Sequence, residues 1–174
     1  GRPLGGVVGT LMTNFGLEIA LREMDVPFVR AAVGDRYVMA ELAERGWHLG
    51  GESSGHLLCL DITSTGDGII SALQVIAAVA ALDGTLHELK GGMQKLPQLM
   101  INVRADRLDA PEGSDLVAAA VADAERVLGD SGRVLLRKSG TEPVVRVMVE
   151  GRDETMVQSL CETLAGQVET ALKA

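Results

Sequence analysis

An α/β unit followed by an α+β unit is the fold class the sequence predicts, and three observations carry it. From Val7 to Ile62, short apolar runs suited to buried strands alternate with helical stretches, the order that builds a sheet with parallel pairs. Beyond Gly91, Gly92 and Pro97 the order becomes strand, helix, strand, strand, helix. Hydrophobic residues make up 47% of the 174 residues, enough to bury a core in each unit.

The elements follow in turn. Val7 to Thr10 is an apolar run for a buried strand. Leu17, Ile19, Ala20, Leu21 and Met24 form a short helical pattern stopped by Pro27, because the residue before a proline avoids the helical region. Phe28 to Ala32 reads as a second strand. Gly34 and Asp35 open a helix through Glu44 with Val38, Leu42 and Ala43 inward, and Gly46 closes it. Leu49 to Gly51 and then His56 to Ile62 read as two more strands. Asp67 is placed to cap a helix from Gly68 to Leu82, where Ile69, Ile70, Leu73, Ile76 and Val79 predict burial on more than one side. Thr85 to Leu89 suits a short helix.

In the second unit, Leu99, Ile101 and Val103 alternate as a strand with one face buried. Asp115 is the expected cap of a helix from Leu116 to Leu128, with Val117, Val121, Ala124 and Leu128 on one stripe. Val134 and Leu136, then Val145, Val147 and Val149, mark two strands joined by a short loop. Asp153 caps a last helix whose apolar stripe runs through Val157, Leu160, Cys161, Leu164, Val168 and Leu172. The expected division is 1–94 and 95–174.

A net charge of −8 argues against nucleic acid as a partner, and one Trp, one Tyr and two Phe leave little for stacking on bases. No signal peptide opens the chain and no apolar run has the length of a membrane helix, so a cytoplasmic protein that avoids membranes is expected. Cys59 and Cys161 have no metal-type spacing and read as two buried reduced thiols. The chain starts at Gly1 rather than Met and nears a strand at once, which suggests a piece of a longer protein.

Two loops concentrate polar chemistry. In RKSGTEPVVRVMV, Arg137, Lys138 and Arg146 surround Ser139, Gly140 and Thr141. Guanidinium groups grip phosphate oxygens in pairs, hydroxyls fill other lone pairs, and a glycine lets backbone amides approach. A solvated turn with ordinary surface arginines is the plainer alternative. In GGESSGH, Glu52 can accept from sugar hydroxyls, Ser53 and Ser54 add hydroxyls of their own, and His56 can carry a proton or donate to a phosphate. A glycine-rich turn whose glutamate binds nearby amides is the alternative there.

Together, in this order and spacing, GGESSGH and RKSGTEPVVRVMVEG resemble the sugar-binding and phosphate-binding loops of the α-D-phosphohexomutases. VVGTLMTNFGLE and VGDRYV extend the likeness over essentially the whole chain, and it is greatest toward the bacterial phosphoglucosamine mutase branch. The resemblance implies the last two of four domains: a three-layer α/β domain, then an α+β domain of TATA-box-binding-protein-like fold. It implies interconversion of glucosamine 6-phosphate and glucosamine 1-phosphate through a phosphoserine and a glucosamine 1,6-bisphosphate intermediate, with Mg2+. It assigns Glu52 and Ser54 to sugar hydroxyls and His56 to the reacting centre as a helper. Arg137, Ser139, Gly140, Thr141 and Arg146 go to the phosphate that is not being transferred, and Arg36, more loosely, to the substrate.

The chain departs from that family in two ways. It contains neither a TASHNP-like phosphoserine segment nor a DGDxDR-like magnesium loop. Alone it is expected to bind and not turn over, with N-terminal domains of the same protein as partners. Ser53 favours the amino sugar over the phosphomannomutase/phosphoglucomutase branch, which stays open beside a non-catalytic phosphosugar-binding module and an interaction domain that binds no sugar. Oligomeric state, a homodimer included, is also open. Trp47, just ahead of Gly50, is expected to report ligand by its fluorescence.

Overall fold

The computed structural model describes residues 5–105, 114–139 and 142–173. Two compact units divide the chain, Gly1–Lys95 and Leu96–Ala174.

In the first unit, β1 (Val7–Thr10), α1 (Phe15–Glu23), β2 (Phe28–Ala31), α2 (Asp35–Arg45), β3 (Leu49–Gly51) and β4 (Leu57–Cys59) are followed by α3 (Gly68–Ala81) and α4 (Leu86–Leu89). The sheet order is β2-β1-β3-β4. β1 runs parallel to both β2 and β3, and β4 returns antiparallel to β3. The alternation read from the sequence thus gives the parallel pairs expected. The core is small: Val8, Ala31, Val38, Leu42 and Leu58 are buried together, with Met39, Trp47 and Leu60 against them. Helix α2 packs on β1, β2 and β3. Gly50 allows this, since a Cβ there would lie 2.7 Å from Val38 Cγ1 and 2.9 Å from the Val8 carbonyl oxygen.

Local chemistry explains the helix ends. Asn14 accepts from the Gly16 amide to start α1, and α1 stops at Met24, with Asp25 in a left-handed conformation ahead of Pro27. Asp67 accepts from the Ile69 and Ile70 amides and caps α3 as expected. Thr85 and Glu88 form a reciprocal capping box on α4. Thr85→Ala is therefore expected to cost about 1 kcal/mol locally, seen as faster amide exchange confined to 85–89.

Two expectations fail here. Helix α3 has no buried residue, although its sequence is apolar all round, because among the described residues β4 is the one element against which it packs to more than a marginal extent. Ala43 of α2 is exposed, and the inward face of that helix is Val38 and Leu42. Among the described residues no single helix is long and apolar enough to cross a membrane.

The second unit is β5 (Gln98–Arg104), α5 (Asp115–Leu128), β6 (Gly132–Lys138), β7 (Val144–Gly151) and α6 (Glu154–Lys173). Its sheet is antiparallel in the order β5-β7-β6. Helix α6 packs on β5 and β7, and α5 packs on β6 and α6. The stripes expected of both helices meet the inward alternation of the strands: Val117, Ala124, Leu128, Val157, Cys161, Leu164 and Val168 bury against Val145, Val147 and Val149. Asp115 is the first residue of α5 and Ser114 its N-cap, so the expected cap falls one residue late. Asp153 accepts from the Met156 amide at the start of α6.

Both cysteines are free, with Cys161 buried and Cys59 half-buried. Burial pushes both thiols up from their ordinary range, and the Asp61 carboxylate adds to the effect at Cys59. The neutral thiol is thus the form the core holds.

Candidate functional site

The GGESSGH segment is the connection between β3 and β4. The Gly55 amide donates to the Glu52 carbonyl (3.0 Å) and the Glu52 amide to the His56 carbonyl (2.9 Å). This tight turn requires the positive φ of +93° at Gly55. It lies at the carboxyl end of β3, beside the segment leaving the carboxyl end of β2. Ligands meet open parallel sheets at such ends.

Glu52 ties those two segments together. Its Oε1 accepts from the Gly34 amide at 2.9 Å, just before α2. The His56 ring is bounded on both sides: Nδ1 stands 3.6 Å from Asp35 Oδ2, and Nε2 stands 3.4 Å from the Gly66 carbonyl oxygen. A carboxylate at that range orients the imidazole. Ser53 and Ser54 are exposed at the turn. Arg36 is exposed and turned onto its neighbour, donating to the Tyr37 hydroxyl (2.6 Å) with its guanidinium 4.5 Å from the ring centre. Sequence reasoning missed Gly34 and Asp35. The signal available was their place at the start of a helix following a parallel strand.

The second loop connects β6 and β7. Antiparallel register sets Arg137 directly opposite Arg146, with Asn102 opposite Arg146 on the other side. Like charges directly opposite one another on a sheet are destabilising unless an anion lies between them. Arg146 Nη2 donates to Glu142 Oε2 (2.8 Å) and lies 3.4 Å from Ser139 Oγ. Its Nε is buried without a hydrogen-bond partner among the described residues. An unsatisfied buried donor on a charged side chain costs more than an ordinary missed hydrogen bond. The Ser139 hydroxyl also accepts from the Glu142 amide at 3.3 Å.

Arg137, Ser139 and Arg146 are therefore brought together. Gly140 and Thr141 lie outside the described residues. Lys138 does not join the cluster, because it pairs in register with Val145, whose side chain is in the core, and so occupies the opposite face of the strand from Arg137. Asn102 was missed because it is distant in sequence and enters the row only through strand pairing.

Trp47 stands at the amino end of β3, away from the turn at its carboxyl end, with its ring against Gly5 and Gly6. It is poorly placed to report ligand at the Glu52 turn.

Among the described residues no group of three or more His, Cys, Asp or Glu side chains could hold a metal ion. Those residues do not fit magnesium.

Comparison with known proteins agrees with this layout. Residues 1–96 match the phosphoglucomutase/phosphomannomutase alpha/beta/alpha domain III, and residues 100–167 match the phosphoglucomutase/phosphomannomutase C-terminal domain. The chain is 60% identical to a phosphoglucosamine mutase of Hahella chejuensis over 97% of this chain and 38% of that protein. It is 57% identical to one of Cellvibrio japonicus over 96% of this chain and 38% of that protein. It thus spans well under half the length of these curated relatives. Among solved structures, Aspergillus fumigatus N-acetylphosphoglucosamine mutase in complex with GlcNAc-6P and magnesium has a similar fold, with a TM-score of 0.77 at 20% identity over 95% of this chain and 39% of that one. A phosphoglucomutase/phosphomannomutase family protein from Burkholderia thailandensis gives a TM-score of 0.72 at 20% identity over 98% of this chain and 38% of that one. The chain belongs to the phosphoglucomutase/phosphomannomutase family and carries that family's domain III and C-terminal domain.

Proposed function

We propose that this chain is the substrate-holding portion of a phosphoglucosamine mutase, acting within a longer polypeptide that interconverts glucosamine 6-phosphate and glucosamine 1-phosphate. The observation that carries this reading is the facing pair Arg137 and Arg146, together with the buried Arg146 Nε, which has no partner among the described residues. Two guanidiniums in register beside a serine hydroxyl suit a phosphate dianion. Identities of 57–60% with phosphoglucosamine mutases over nearly the whole chain support the amino sugar.

In this reading Arg137, Ser139, Gly140, Thr141 and Arg146 hold the phosphate that is not transferred. Glu52 and Ser54 take sugar hydroxyls, and Arg36 swings from Tyr37 toward substrate. His56, oriented by Asp35, serves the reacting centre by holding or moving a proton at Nε2. Phosphoryl transfer asks mainly for positioning and charge stabilisation, which these side chains supply. The glucosamine 1,6-bisphosphate intermediate, phosphoserine and Mg2+ belong to the longer protein, so this chain by itself binds without turnover. Magnesium supplies charge neutralisation of the transferring phosphoryl when bound, and no residue described here is assigned to it.

Titration calorimetry tests the reading. Glucosamine 1,6-bisphosphate and inorganic phosphate should both bind, and the corresponding mannose bisphosphate should bind more weakly than the glucosamine one. Glu52→Gln keeps an acceptor for the Gly34 amide. It should weaken the sugar bisphosphate by roughly tenfold, the scale of one charge-assisted hydrogen bond, and leave inorganic phosphate unchanged. Equal loss of both ligands would remove Glu52 from the sugar.

A further inference from the structure

Helix α3 has an unusual exposure for its composition. GIISALQVIAAVAA contains no charged residue, yet none of its side chains is buried. Ile69 is 75% exposed, Leu73 53% and Ile76 62%, a stripe along one face of the helix, and Leu82 at its end, like Leu86 and Leu89 on α4, is exposed as well. Its polar tethers to the unit are few: Ser71 Oγ reaches the Leu57 carbonyl oxygen at 3.3 Å, and Asp67 caps its start. A contiguous apolar surface of this kind marks a contact with another polypeptide or a membrane.

We infer that the α3–α4 face is the docking surface for the part of a phosphoglucosamine mutase polypeptide that this chain does not span. This rests on the functional reading above. The chain matches 38% of its relatives' length, and the domain it carries first is numbered third in its family. Most of the polypeptide therefore lies outside the chain, and a surface covered by the same polypeptide gains the high effective concentration of an intramolecular contact. A lipid surface fits less well. At 14 residues α3 alone is shorter than the roughly 20 a spanning helix needs, the Leu86–Gly92 stretch that would lengthen it is bent 96° away, and the absence of Lys or Arg from α3 removes the attraction to anionic headgroups that surface helices use. The occupant is thus an apolar protein surface with few charges of its own.

The test is a chimera in which this chain follows the portion of the Hahella chejuensis protein that it does not match. Maleimide labelling at Ile76→Cys is compared between the chimera and this chain alone, above the background of Cys59 and Cys161. Val127→Cys on α5, 52% exposed, is the control. Labelling at position 76 should slow at least tenfold in the chimera while position 127 is unchanged. Equal rates at position 76 overturn the inference, and if that chimera is an active mutase, the functional reading survives. Slowed labelling in an inactive chimera that binds no sugar phosphate keeps the docking surface and sinks the functional reading. Sedimentation and vesicle flotation of this chain alone decide independently of the chimera's folding. A dimer broken by Ile69→Asp with Ile76→Asp, or flotation lost in that variant, assigns the face to a second copy or to lipid and overturns the inference. A monomer that does not float is expected.

Discussion

Arg133→Met is expected to destabilise the second unit by about 3–5 kcal/mol, the range for removing one partner of a buried ion pair. Arg133 and Glu150 are directly opposite on β6 and β7, and Arg133 Nε donates to Glu150 Oε2 at 2.6 Å. Glu150 is 0% exposed and the Arg133 side chain 15%. The cost arises less from the lost attraction than from the carboxylate left in a poorly solvated place. The double change Arg133→Met with Glu150→Leu should therefore recover most of the loss, because both desolvation penalties vanish together. Chemical denaturation of the single and double variants gives the comparison. A double variant as unstable as Arg133→Met would mean that the pair, or the other contacts of Glu150, contributes net attraction beyond its desolvation.

Much of the fold was legible because its signals are local and periodic. The β-strand alternation at Val145, Val147 and Val149 and the helical stripe from Val157 to Val168 each name their own buried face, and the two meet in one core. The parallel order of the first sheet followed from strand–helix alternation alone. What the sequence hid depends on partners. An all-apolar helix such as α3 reads as buried, and the sequence does not say whether its cover lies within the unit or elsewhere. Lys138 looked like a third cation in the phosphate loop, but a one-residue step along a strand reverses the face. Asp35 beside His56 and Asn102 beside Arg146 are contacts across 21 and 44 residues of chain, which no spacing rule in one sequence supplies. Glu150, buried and paired, carried no local mark that separates it from a surface glutamate.

Arg137 and Arg146 should give effects of opposite sign on stability and on binding. In the free protein the two guanidiniums are neighbours across β6 and β7, and among the described residues Arg146, but not Arg137, has a carboxylate partner, Glu142. Arg137→Ala relieves like-charge crowding and is expected to leave the free protein unchanged or stabilised by up to about 1 kcal/mol. The same change removes a charge-assisted contact and should weaken phosphate binding by about 1.5–3 kcal/mol. Arg146 differs because its Nε is buried and without a partner among the described residues, so its role depends on fork geometry as well as charge. Arg146→Lys keeps the charge and loses that donor. It should weaken phosphate nearly as much as Arg146→Ala, whereas Arg137→Lys should recover a good part of the loss seen in Arg137→Ala. Thermal unfolding with and without phosphate reads both effects at once, since a ligand bound only by the folded state raises the midpoint by an amount that grows with the logarithm of its concentration over its Kd. A phosphate-induced shift that is the same in all four variants would mean that the anion binds elsewhere, and the facing arginines would then be an ordinary feature of a solvated strand pair.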